Sequence, residues 1–144
     1  MASNSTVFNS LATATVQAGS SSPANQGLVV SAQTATVAYG ADGSTTSLFT
    51  IPAGSQIMSI HIDVTTGFNA GSTNTLKIGK TGAATQFVTA TDVTTAGRES
   101  VATTGVYANW ANVGTSDVTL IATYNQTGTV ASAGAARITV TYAF

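Results

Sequence analysis

The stretch "IMSIHIDVTT", residues 57–66, alternates strictly. Met58, Ile60, Ile62 and Val64 fall on one side, and Ser59, His61, Asp63 and Thr65 on the other. Side chains of a strand point to opposite faces at period two, so this pattern predicts a half-buried β-strand. The C-terminus repeats it: Ile138, Val140, Tyr142 and Phe144 alternate with Arg137, Thr139, Thr141 and Ala143. In "DVTLIATY" (117–124) the inward set is Val118, Leu120, Ala122 and Tyr124. Shorter strands are expected at 28–39, 46–51, 75–79 and 85–90, and 6–17 reads as a strand or an extended arm.

Thr is the commonest residue, and branched and aromatic side chains fit a pleated surface. No long stretch combines 3.6-residue apolar spacing with strong helix formers. Gly, Pro, Asn and Ser clusters at 18–27, 39–45, 51–56, 67–74, 79–84 and 127–135 read as turns. Many short strands between closely spaced turn signals predict an all-β fold. The expected architecture is a single antiparallel β-sandwich, jelly-roll-like. Residues 1–26 are read as an N-terminal arm or first strand plus a Ser/Pro/Gly loop, and 27–144 as the sandwich domain.

The chain has 144 residues, enough to bury one core without covalent staples. It contains no cysteine, which removes disulfides and thiolate metal sites. Charged residues are only 6% of the chain, and none precedes Asp42. The cations Lys77, Lys80, Arg98 and Arg137 are scattered, whereas phosphate binding needs a cluster. Nucleic acid and a polybasic membrane contact are therefore not expected as partners. No run reaches the 18 or so apolar residues of a spanning helix, and "MASNSTVFNS" shows no secretory pattern. A net charge near zero favours association, so this composition points to a packed assembly.

The letters DVTT occur at 63–66 and again at 92–95. A calcium loop of the EF-hand type needs several oxygens at alternate positions with a Gly and a terminal Glu; after Asp63 come Thr65, Asn69 and Asn74, but no second carboxylate before Asp92. A solenoid needs about three stacked units, and no third copy appears. The stretch 52–98, "PAGSQIMSIHIDVTTGFNAGSTNTLKIGKTGAATQFVTATDVTTAGR", instead resembles small virion proteins of tailed bacteriophages. The matching elements are Pro52–Gly54, Asp63–Thr66, Phe68–Gly71, Thr75–Gly79, Phe87–Val88 and Asp92–Gly97. Related proteins often carry an acidic pair before the Phe; here the letters are "AATQF". The resemblance implies a structural, decoration or fibre protein with no enzymatic site to carry over.

Within this stretch, Phe68 and Leu76 are expected to cover the base of a loop, and Asp92 to cap a turn. An ion pair Asp63–Arg98 or Asp92–Arg98 is expected to fix the loop. His61 is the sole histidine, and Asp63 lies two residues away on the same strand face. A serine hydrolase needs nucleophile, base and orienter in contact, and no G-x-S-x-G elbow is present. Neither a catalytic centre, a metal site nor a cofactor is expected.

Tyr107 and Trp110 form an aromatic pair that suits a protein interface, a sugar, or closure of the core. Val7, Phe8 and Leu11 are candidate contacts in the N-terminal segment, to capsid or to a sister subunit. The leading expectation is a capsid decoration or cement protein on the virion surface, made in the host cytoplasm. Its partners would be the major capsid protein and itself, as a homotrimer. Alternatives are a head-fibre or tail-associated adhesin for a host glycan, and a small carbohydrate-binding module or hydrolase.

Overall fold

Alternation becomes layering where two sheets share their inward faces. The computed structural model describes residues 29–99, 101 and 105–144. Strand β1 is Val30–Ala38, β2 Ser44–Ile51, β3 Gln56–Thr66, β4 Thr73–Lys80 and β5 Ala83–Asp92. After them come β6 Gly97–Glu99, a short helix α1 Tyr107–Ala111, β7 Val118–Thr127 and β8 Ala135–Ala143. One sheet has the order β1-β8-β3-β6 and the other β2-β7-β4-β5, with every pairing antiparallel. The chain is an all-β antiparallel sandwich. The β4–β5 hairpin stays within one sheet; every other connection between consecutive strands crosses to the opposite sheet. The expected segment at 6–17, the arm residues Val7, Phe8 and Leu11 and the boundary at residue 26 lie outside the described residues.

The core is the set of inward residues that the alternation marks. Ile60, Ile62 and Val64 of β3 and Leu120, Ala122 and Tyr124 of β7 are all buried in one core cluster between the sheets. Burying a Val, Leu or Ile side chain is worth about 1.5–3 kcal/mol each, which is what holds two such layers together. In β8, Ile138, Val140 and Tyr142 are buried as the pattern predicts.

Two positions depart from strict alternation. Met58 is exposed and Ile57 is buried in its place. The register of β3 against β8 shifts between Ile57 and Ser59; a β-bulge of this kind exchanges which neighbour points inward. Phe144 lies one residue past β8 and is exposed, stacked obliquely beside Tyr142 at 5.7 Å.

Candidate functional site

Within the 52–98 stretch, the loop after Thr66 and the turn at Asp92–Thr95 meet at one end of the sandwich. Phe68 is fully buried, with its ring centroid 4.9 Å from that of Tyr124. The Phe68 N–H donates to Val93 O at 3.0 Å, and the Val93 N–H donates to Asn74 O at 3.0 Å. The two DVTT copies therefore meet: the loop after the first is hydrogen-bonded to the turn within the second. A Cβ on Gly67 would lie 2.3 Å from Thr94 O, so only glycine allows that approach.

Polar side chains complete this end. Asn69 Oδ1 accepts from the N–H groups of Ser132 and Ala133 at 2.8 and 2.9 Å. The Tyr124 hydroxyl donates to Asn74 Oδ1 at 2.6 Å, and Gln126 Oε1 accepts from the Ala131 N–H at 2.9 Å. Burial pushes the Tyr124 phenol up, and the charge of Asp42 adds to the effect. Asp42 accepts from the Gln126 N–H at 2.9 Å and from Asn125 at 3.1 Å, which hold its carboxyl below the usual range. Asp92 accepts from the hydroxyl and N–H of Thr94 at 2.6 and 2.8 Å and is lowered for that reason. These bonds tie the ends of β4, β5 and β7 to the adjoining loops at Asp42, Asn69, Thr94 and Ala131–Ala133, so the cluster fixes loop geometry.

Of the two ion pairs considered from sequence, the structure forms Asp63–Arg98. The Arg98 Nε donates to Asp63 Oδ1 at 2.7 Å, and Arg137 approaches Oδ2 at 3.6 Å. The Arg98 hydrogen bond is the main reason the Asp63 carboxyl is lowered. Asp92 lies on the opposite sheet, occupied with Thr94. The Asp63–Arg98 pair is solvent-accessible rather than buried: the Arg98 side chain is 61% exposed. Both Asp63 oxygens face arginines, so the carboxylate is not set up to orient His61 as a catalytic base.

At the opposite end, α1 separates the two aromatics. Trp110 is buried, and its Nε1–H donates to Phe87 O at 2.7 Å. Tyr107 stands 72% exposed. Between α1 and β3 runs a groove of ≈ 420 Å³ lined by Gln56, Ile57, Met58, Tyr107, Trp110 and Ala111. Sequence reasoning missed Asn69, Asn74, Gln126 and Arg137 as fixing groups. For Gln126 a signal existed: it continues the inward series of β7 as a polar residue, and a buried amide needs partners. Among the described residues no group of three or more His, Cys, Asp or Glu is placed to hold a metal ion.

An eight-stranded sandwich with these loop-locked ends is a scaffold class that hosts many functions. The chain is similar in fold to a chain of the cyanophage Pam1 capsid asymmetric unit, with a TM-score of 0.58 and 16% identity over 90% of this chain and 96% of that one. It is also similar to a chain of the acid-stable capsid of Helicobacter pylori bacteriophage KHP30, with a TM-score of 0.53 and 14% identity over 81% of this chain and 88% of that one. No protein-family model matches the chain, and no curated protein does.

Proposed function

We propose that the chain is a non-enzymatic structural protein of a tailed-phage virion, a decoration protein that seats on the head shell and bridges subunits of the major capsid protein as a homotrimer. We also read the passage of successive strands between the two sheets as a jelly roll, an architecture common in viral shells. The observation that carries the proposal is the likeness to chains of two phage capsids across most of their length and of this one. Surface chemistry fits the role. The outward residues of the first sheet are mainly Ala, Ser and Thr, with charges confined to the row Arg98–Asp63–Arg137. Little charge must be desolvated when such a face is covered. Weak contacts repeated over a shell then add through avidity.

Copy counting by quantitative mass spectrometry of purified virions tests this. Hundreds of copies per particle are expected; a handful would replace decoration with a fibre or tail role, and none would refute the virion reading. The exposed Tyr107 beside Gln56 and the groove favours a second reading, an adhesin holding a glycan. It requires glycan-array binding that Tyr107→Ala abolishes.

A further inference from the structure

Among the described residues, four strands form the edges of the two sheets, and three of them are blunted. Strand β6 has only 3 residues. The register of β2 against β7 breaks between Ser47 and Thr50. That of β5 against β4 breaks on both sides of Ile78. Short length and bulges are the ordinary means of preventing further strand pairing at an edge.

Among the described residues, strand β1 has none of these protections. It runs for 9 residues, VSAQTATVA, with unbroken register against β8 and with no charge and no proline. Val29 and Phe144 exchange both N–H···O bonds at 3.0 Å, which sets the phase of the ladder. In an antiparallel pair the hydrogen-bonded positions recur every second residue. The odd-numbered residues of β1 thus bond to β8, while Val30, Ala32, Thr34, Thr36 and Ala38 turn their N–H and C=O groups to the open edge. A long uncharged edge of this kind is a ready site for another strand.

The chain supplies a matching segment. Residues 6–17, TVFNSLATATVQ, carry no charge or proline and are rich in β-formers. Thr13–Val16 reads TATV, and so does Thr34–Val37 within β1. A hairpin back onto the chain's own β1 needs a connection of only about 2–5 residues. The intervening residues 18–29, rich in Ser, Gly and Asn, are longer than that and reach up to ~40 Å when extended. We propose that residues 6–17 of one copy add as a strand to the β1 edge of a neighbouring copy. Each copy gives one strand and receives one, which is met by a reciprocal two-fold pair or by a head-to-tail ring. The edge exists whether or not the protein sits on a capsid, so failure of this proposal and failure of the virion reading are separate results.

Light scattering and cysteine cross-linking decide it. The chain is expected to run as a multiple of 14.3 kDa. Ala32→Pro removes an N–H from the open edge and none from the β8 ladder; it should fall to the monomer mass with unchanged β-type circular dichroism, while Ala32→Ser stays assembled. The chain has no cysteine, so single substitutions report cleanly. Ala32→Cys chains are mixed with chains bearing cysteine in place of Ser10, Ala12, Thr13 or Ala14 in turn. A disulfide-linked species of twice the monomer mass is expected for at least one partner. The proposal is overturned by a monomeric parent, by an assembled and folded Ala32→Pro variant, or by the absence of a mixed disulfide between Ala32→Cys chains and all four partner variants. Should Ala32→Pro lose its circular dichroism, the cross-linking result decides alone.

Discussion

Gly134 carries no side chain because the ring of Phe68 fills that space. A Cβ there would lie 2.5 Å from the ring, and the backbone φ of 150° is one that L-residues rarely adopt. Gly134→Ala combines backbone strain with overpacking, for a destabilisation of roughly 2–4 kcal/mol. A fall in Tm on the order of 10 °C is expected in a thermal scan; an unchanged Tm would show that Phe68 has room to move. The aspartates make a pH prediction at the same scale. Asp42, Asp63 and Asp92 are all held below their usual values by hydrogen bonds in the fold. The folded state therefore binds protons less readily than the unfolded chain. This contribution is complete above about pH 4, the unfolded range, and is lost as pH falls through the lower folded values. Tm should be flat from pH 7 to 5 and fall below pH 4, and Asp92→Asn should flatten part of that fall. The role of Phe68 was legible in sequence because a large aromatic stands alone in a loop of small residues. Gly134 was not legible, since its partner is remote in sequence.

Strands were legible wherever one face is wet and the other dry. The alternation at 57–66 and 137–144 marked β3 and β8. It failed at Met58 because a bulge is a local register choice made against β8, which period-two reading of β3 alone cannot see. The two partners of Asp63 show the same limit: the motif named Arg98, but Arg137 is brought in by β8. Strand β6 tests what this row of charges does. It pairs with β3 only at Ile62–Val64, and the Asp63–Arg98 contact lies across that short ladder. Exposed ion pairs add little to global stability, so Asp63→Asn should leave the thermal transition almost in place. Local opening is another matter, because short edge strands open at low free energy. Amide exchange in β6 should quicken in Asp63→Asn while that of β8 stays as slow as in the parent. Equal exchange in both proteins would show that the ladder, rather than the charge pair, holds β6.

At the scale of the molecule, the sheet order places the last strand of the chain in an interior position. Strand β8 lies between β1 and β3, bonding to one along Val30–Ala38 and to the other along Gln56–Thr66. The sequence showed β8 as a strand but not its neighbours, because alternation reports which face is wet and says nothing about which edge is paired. The position has a thermodynamic consequence. Removing residues 141–144 takes away Tyr142, which is buried, and leaves the start of both partner ladders open. An edge strand shortened by that much would fray; a central one leaves Val30–Ala32 of β1 and Gln56–Ser59 of β3 without their partners at the same time. Losing a buried aromatic alone costs about 3–5 kcal/mol, against a total stability of about 5–15 kcal/mol for a domain. The truncated chain should therefore lose its cooperative thermal transition and bind a hydrophobic dye, although only residues at its terminus are missing. A chain lacking 141–144 that still melts cooperatively near the parent Tm would show that β1 and β3 close on each other without the end of β8, and that the core tolerates the loss of Tyr142.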